Sequence, residues 1–563
     1  MNTMLCAAHA CVSRRAPIHF GTVTLSKSIA VAAVVICART AATAAQAPGV
    51  AKSAVQFVDV GSERERVLRV LQVIGEVPFY PWSLRQLSPA ESDRLLSKAV
   101  AHAALLPAEP NVHTVGALRI AALPMDIRTI YNSAFPYGYN DGPVWAGRGV
   151  TASVSAGVSG RIGPLSFQLE PLLFDAQNAQ FPLHSTSVPE NIFGDPFYSD
   201  AIDLPQRFGN GAYRRLDPGQ SSARLDLGPI AAELSTANQW WGPTLVQPLV
   251  LGNNAPGFLH ATLGTSNPVN IGIGQAHARM VWGRLEQSEF SNEHSGDSLR
   301  FMSGIVGSFT PRGVPGLELG ATRFFHSRWP SNGLSNARFL RPLQGLLKSG
   351  LATPTNPSGD DPGDNQLASV FFRWVFPKAA FELYGEYGRE DHNVDIRDVY
   401  QEPDHDAGYT IGLQRVWSSP RGTIVFRGEL LDTRLSPLYQ GRLEQPWYLH
   451  APNLANGHTE LGQILGAPAA YGGGGAVVGV DVLTATGRWT VQWDRQMRAE
   501  ARNAERAPTP LLSDVMHSLG VERVYTLGKR TVSGGLRGVW DLNRNFGADR
   551  FNLNATIGMQ EHW

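Results

Sequence analysis

From about residue 148 to the end of the chain, apolar and polar residues alternate one by one. Val150, Ala152, Val154, Ala156 and Val158 stand against Thr151, Ser153, Ser155, Gly157 and Ser159. Leu165, Phe167 and Leu169 alternate with Ser166, Gln168 and Glu170. Trp489, Val491 and Trp493 alternate with Arg488, Thr490, Gln492 and Asp494, and Tyr409 to Gln414 repeats the pattern. The last stretch is the cleanest. Phe551, Leu553, Ala555, Ile557, Met559 and Trp563 share one phase, and Asn552, Asn554, Thr556, Gly558, Gln560 and His562 share the other. A period of two predicts strands with unlike faces. Polar Gly- and Pro-rich connections at 176–222, 252–272, 327–365, 391–407 and 434–475 are expected to separate them.

The front of the chain has a different period. Ser62 with Glu65 reads as a capping box, and Val67, Leu68, Leu71 and Ile74 fall on one helical face before a stop at Gly75. Ser88-Pro89-Ala90-Glu91 reads as a second box with Pro at the first helical position, followed by Leu95, Leu96 and Val100. A short extended piece, 54–60, precedes them. These patterns predict a small helical domain with no chemistry of its own.

Ahead of it, the apolar run Ser28 to Ala38 has the length of a signal-peptide core and is followed by the A-x-A pattern Ala42-Thr43-Ala44. Residues 1–45 are therefore expected to be a cleaved leader, with Met4 an alternative start. All three cysteines, Cys6, Cys11 and Cys37, lie in it, so the exported chain is held without disulfides. Arg14, Arg15, Lys27 and Arg39 leave with it, and the remainder is slightly acidic.

Composition narrows the classes. Lys+Arg 48 against Asp+Glu 48 excludes a generally basic nucleic-acid binder. Apolar runs as long as a membrane-crossing helix needs are missing, which excludes a polytopic helical membrane protein. Trp 13, Tyr 14 and Phe 24 supply enough aromatics to fill a core or face lipid, which argues against disorder. A soluble antiparallel sheet also has one apolar and one polar face. Export, the persistence of the alternation, and Trp563 in the apolar phase of the last strand favour a membrane barrel, apolar outside and polar inside. Trp489, Trp493, Tyr525 and Trp540 would form its aromatic belts.

Catalytic signatures are missing: there is no H-E-x-x-H, no G-x-S-x-G and no P-loop, and no enzyme activity or cofactor is expected. The glycine run 472–475 reads as a flexible turn. Acids concentrate at 382–406, and the strand phase puts Glu382, Glu386 and Glu390 on the lumen wall. Paired with arginines they would simply make that wall polar. Paired with each other they could do glycosidic acid–base chemistry. The acidic loop 391–406 leaves a divalent-ion site open, although it lacks the calcium-loop pattern, and no metal is expected. Asn238-Gln239-Trp240-Trp241-Gly242-Pro243 and Asn253-Asn254-Ala255-Pro256-Gly257-Phe258 combine flat rings with amides, a composition that suits sugars. A Trp pair also serves as core or belt.

These segments carry a family resemblance. Tyr139-Asn140-Asp141-Gly142-Pro143-Val144-Trp145-Ala146-Gly147-Arg148-Gly149 resembles the entry to the first strand in the Wzi family of capsule-assembly outer-membrane proteins. The Q-W-W-G-P and N-N-A-P-G-F pair is similar to that family's central motif, and Gly457 to Gly466 (GHTELGQILG) to a later block. Val58-Asp59-Val60 and the R-Q-L-S-P-A-E segment at 85–91 look like its periplasmic start. The resemblance covers roughly 55–563, and His458 departs from it where the family often has an aromatic. It implies an outer-membrane barrel of about eighteen strands, a small periplasmic helical bundle, and helices and loops that occlude the lumen. It further implies a non-enzymatic surface lectin that anchors capsular or other exopolysaccharide, its sugar specificity lying in variable loops.

The expected organisation is thus a mainly β protein: leader 1–45, periplasmic helical domain 46–125, and transmembrane barrel 126–563. The expected partners are surface polysaccharide and outer-membrane lipid, with a monomer as the default state. Sugar contacts are assigned to Trp240, Trp241, Asn253 and Asn254, with Glu386, Glu390 and Asp391 beside them. Trp145, Arg148 and Gln463 are assigned to structure. The alternatives are a porin or oligosaccharide channel, and an outer-membrane glycan hydrolase using the 382–391 carboxylates.

Overall fold

The computed structural model describes residues 54–97, 100–291, 299–345, 351, 364–390, 395–436, 445–449, 454–500 and 513–563. The expected leader and Asp391 lie outside these residues.

The alternating segments form long antiparallel strands. The first four are each interrupted once: β1 (Leu118–Ala122 and Met125–Asn132), β2 (Gly149–Ser155 and Val158–Ile162), β3 (Leu165–Leu169 and Leu172–Ala176) and β4 (Tyr213–Asp217 and Ser222–Leu227). Next come β5 (Ile230–Ser235), β6 (Leu259–Thr265), β7 (Gly274–Glu286), β8 (Leu299–Pro311) and β9 (Leu317–Arg328). The second half contains β10 (Asp364–Phe376), β11 (Phe381–Glu390), β12 (Ala407–Ser419), β13 (Gly422–Asp432) and β14 (Gly474–Thr484). The last are β15 (Gly487–Met497), β16 (Val515–Leu527), β17 (Arg530–Leu542) and β18 (Arg550–Glu561).

Each strand pairs with its neighbours in sequence, and β18 returns to pair with β1, Asn554 opposite Asn132 through Glu561 opposite Met125. The pairings therefore close into a ring of eighteen strands, which leaves no sheet edge to satisfy. Sheet pairing begins at Val112, where the short strand Val112–Val115 pairs with Leu118–Ala122, ahead of the boundary expected at 126. The predicted connection 252–272 holds a strand, β6.

The faces of the ring are inverted relative to a soluble protein. On β18, Phe551 and Ile557 are exposed while Asn552 and Asn554 are buried. On β15, Trp489 and Val491 are exposed while Arg488, Thr490 and Asp494 are buried. Apolar side chains form the outer belt that lipid requires, and charged ones line the lumen. Short turns such as 163–164, 420–421, 485–486 and 528–529 gather at one end, and long connections such as 177–212, 329–363 and 433–473 at the other.

The lumen is filled. Helix α1 (Glu63–Val73) starts at Ser62, whose hydroxyl accepts from the Glu65 N–H, and Gly75 just past its end has φ +78. Helix α2 (Pro89–Leu95) carries the complete capping box of Ser88 and Glu91. Leu68, Leu71, Trp82 and Leu87 form a core between them. Val70 and Val73 pack on Val416, Val425 and Leu483 of the wall, close to the short-turn end. Towards the other end, residues from the long connections fold inward. Tyr198, Leu249, Trp447, Tyr448 and Leu465 pack on Val281, Met302, Phe324 and Leu367 of β7, β8, β9 and β10.

Candidate functional site

Irregular backbone inside a barrel must find hydrogen-bond partners there. Here the partners are carboxylates on the wall. Glu318 accepts from the Trp82 and Ser83 N–H groups at 2.9 and 3.1 Å. Glu429 accepts from the Leu245, Val246 and Gln247 N–H groups at 2.7, 3.2 and 2.5 Å. Glu390 accepts from the Tyr448 N–H at 3.0 Å and the Asn365 amide at 3.1 Å. Glu382 lies between two buried guanidinium groups, Arg69 of α1 at 2.8 Å and Arg373 of β10 at 2.7 Å. In return, Glu91 of α2 accepts from Arg279 of β7 at 2.9 and 3.1 Å. These links tie the helical segment and the outer loops to the inner wall.

The described residues of the expected sugar-binding set, all but Asp391, lie within or beside this network. Glu382, Glu386 and Glu390 do face the lumen, as their phase predicts, and all three are buried. Glu386 accepts from the Ser369 hydroxyl at 2.6 Å. Trp240 and Trp241 are 3% and 1% exposed, so neither ring offers a face to solvent. They pair as a two-residue strand with Leu84 and Arg85, joining the central loop to the helical segment. The Arg85 guanidinium covers the Trp240 ring at 4.8 Å, and the Trp240 indole N–H donates to Thr244 at 3.2 Å. The Trp241 indole N–H donates to the Gln239 side-chain carbonyl at 2.8 Å, and its ring meets Phe324 edge-on at 6.2 Å. Gly242 follows with φ +93, and a side chain there would meet the Glu386 carboxylate at 2.6 Å. The Trp pair and Glu386 are therefore brought together, as packing.

Asn254 donates to the Ile464 carbonyl at 2.9 Å and Gln463 to the Asn254 carbonyl at 3.1 Å, so two of the sequence motifs clasp one another. Asn253 is also buried and lines a polar cavity of about 400 Å³ between α1, Tyr139 and the lumen face of β13 to β18. Trp145 packs edge-on against Phe208 at 4.9 Å, and Arg148 donates to the Ser133 carbonyl at 3.2 Å. The glycine run is close packing rather than a flexible turn. Gly474 and Gly475 are in β14, and a side chain on Gly473 would collide with the Met497 carbonyl.

His458 is buried at the centre of the outer core. Its Nε2 bonds the Val250 carbonyl at 2.7 Å, its ring stacks on Tyr448 at 4.9 Å, and Phe324 meets it edge-on at 4.9 Å. An aromatic residue fits this position, which accounts for the departure from the motif. Burial pushes the imidazole down to about 3. The unfolded value is about 6.5, so between the two the unfolded chain takes up a proton that the folded chain refuses. Stability contributed here is complete above about pH 6.5 and falls as the pH drops towards 3. Glu460 acts in the opposite sense: burial raises it to about 8, so its contribution is lost as pH rises from the ordinary carboxylate range through that value. His458→Phe keeps the stack and removes one titration. Its melting temperature in detergent should fall less than the wild type's between about pH 7 and about pH 4. Parallel curves would remove His458 from the acid response.

One exposed aromatic escaped the sequence reading. Tyr400 is 79% exposed on the short helix Ile396–Gln401, in the connection after β11 at the long-loop end. Arg397, Asp398, Glu402 and Asp404 share this connection. The available signal was a lone Tyr within the acidic stretch, which drew attention for its carboxylates instead.

The sequence profile of the family described as capsule assembly protein Wzi matches residues 136–508. Among solved structures, Wzi of Escherichia coli, an outer membrane protein involved in group 1 capsule assembly and described as a carbohydrate-binding β-barrel, is similar with TM-score 0.58. It shares 14% identity with this chain, covering 90% of this chain and 99% of its own. OccAB2 of Acinetobacter baumannii gives TM-score 0.37 at 8% identity, covering 78% of this chain and 97% of its own. OccK3 of Pseudomonas aeruginosa gives 0.39 at 8% identity, covering 79% and 96%. No curated relative matches the sequence. The profile match runs through well over half of the chain and takes in the Trp pair, the asparagine turn and the His458 block, and the chain belongs to the capsule assembly protein Wzi family.

Proposed function

We propose that this protein sits in the outer membrane as a non-catalytic carbohydrate-binding barrel that holds capsular or other surface exopolysaccharide on the cell. The observation that carries the reading is the packed lumen: helices close to the short-turn end and inward-folded loops towards the long-loop end occupy space that a wide passage would need. A porin needs such a passage, so planar bilayers should show no steady large channels. A hydrolase needs carboxylates that a substrate can reach, and Glu382, Glu386 and Glu390 are buried, the first and last of them taken up by structural partners. The long-loop end is then the working surface, where weak contacts to a repeating polymer add by avidity.

On this reading Trp240, Trp241, Asn253 and Asn254 shape the platform, and Tyr400 is the aromatic placed to meet a sugar ring. The first test is a deletion strain, with cell-bound and released polymer measured at constant total synthesis. Polymer moving into the medium supports the reading, and an unchanged distribution overturns it. Tyr400→Ala should weaken binding of purified polymer by about threefold to tenfold, the value of one aromatic contact, while leaving the melting temperature unchanged. Equal binding by the variant would take Tyr400 out of the site.

A further inference from the structure

The long connection after β9, like the 395–406 connection whose Glu402 and Pro403 carbonyls accept from Arg389, reaches the outer face of the wall. Its described part, 329–345, folds back over the outer wall of the barrel rather than into the lumen. Phe339 packs edge-on against Trp282 of β7 at 6.1 Å and Phe301 of β8 at 5.5 Å, and the Trp282 indole N–H donates to the Phe339 carbonyl at 2.9 Å. Trp282 and Phe301 lie in the outward phase, since their neighbours Val281 and Met302 belong to the lumen core.

Arg323 on β9 is also in the outward phase, two and four residues from Ala321 and Leu319. A charge on that face is costly in a bilayer. The flap meets the cost with backbone carbonyls: Gln344 and Gly345 accept from the guanidinium at 2.5 and 2.9 Å, and the Gln366 side chain accepts at 2.7 Å. The flap is thus built for the level where wall meets lipid.

Its outer surface is amphipathic. Leu340 and Leu343 are 53% and 60% exposed. Arg338, Arg341 and Arg284 lie on this side of the wall, against Glu286 and Asp364, which pair with Arg284 and Arg341, and Arg338 donates to the Ser327 hydroxyl at 2.9 Å. Among the described residues the patch is net positive.

We propose that the flap, residues 336–345, binds a phosphate-bearing lipid of the outer leaflet, with Leu340 and Leu343 entering its acyl region and Arg338 and Arg341 beside its phosphates. Exposed leucines next to arginines at a lipid boundary complement an acyl chain and an anionic head group together. The inference is independent of the polysaccharide reading.

The test is native mass spectrometry of the full chain in a non-ionic detergent, titrated with purified bis-phosphorylated lipid A. Phosphatidylethanolamine is the zwitterionic control and inorganic phosphate the competitor. Lipid A adducts are expected on the wild type. Arg338→Glu should weaken them by about fivefold or more, and Leu340→Ser with Leu343→Ser by about tenfold. Unchanged heat-dependent gel mobility of both variants keeps folding out of the comparison. Equal adducts on wild type and variants, equal binding of phosphatidylethanolamine, or displacement by phosphate alone would each overturn the proposal. So would a detergent-stable dimer that the leucine changes convert to monomer, because the occupant would then be a second copy. Variants that lose lipid A yet retain polysaccharide separate this site from the proposed function.

Discussion

Glu382→Ala is expected to destabilise the protein by about 3–5 kcal/mol, the cost of removing one partner from a buried ion pair. The reason is local. Arg69 and Arg373 both point at this carboxylate, all three side chains are at most 2% exposed, and removing it leaves two buried cations facing each other. Arg69 also donates to the Pro243 carbonyl at 2.7 Å and Arg373 to the Gln72 side chain at 2.5 Å, so α1 and the central loop should loosen together. Urea dependence of the folded gel band measures the loss, and limited proteolysis within 62–105 shows where it falls. A variant within about 1 kcal/mol of wild type, the range of an exposed pair, would mean that the triad does not hold the helical segment.

The second large effect concerns Trp241. Replacing it with Ala should cost about 3–5 kcal/mol, as for other buried aromatics. Its ring is enclosed by the outer core and its backbone pairs with Leu84, so the change strikes the joint between loop and helical segment. Tyr400→Ala should do the reverse, lowering polymer binding and leaving stability alone. Thermal unfolding and polymer binding measured on the same two variants distinguish scaffold from contact. If Trp241→Ala were fully stable and lost only polymer, the indole would belong to the binding surface after all.

Much of the fold could be read from the chain. The phase of β18 and β15 was explicit, because lipid demands an unbroken apolar face and the lumen tolerates Asn, Thr and Asp. Both helix starts were written in Ser62 and Ser88. The site was less legible, for a physical reason. Trp pairs, amides and carboxylates have the same composition whether they meet a sugar or each other, and only burial separates the cases. The filled lumen gives an inward loop a second polar wall to bind, so Glu318 and Glu429, unremarkable in sequence, cap five backbone N–H groups. The outer flap was hidden too, since alternation says which way Arg323 points but not that a loop returns to cover it.

The seam of the ring has a kinetic consequence. Every other neighbour pair is joined by a direct connection, whereas the Asn554 amide reaches Asn132 across 422 residues. Closing so long a loop costs about 4 kcal/mol more in chain entropy than closing a hairpin connection of a few residues. The zipping of β18 onto β1 is thus expected to come last in assembly. By then the helical segment, which precedes β1 in the chain, must already be seated against β9 to β14. A chain stalled before its last strand would be an open, curved sheet with its charged inner face and its helices uncovered. The machinery that inserts this barrel into the membrane must therefore receive the filling and the wall together.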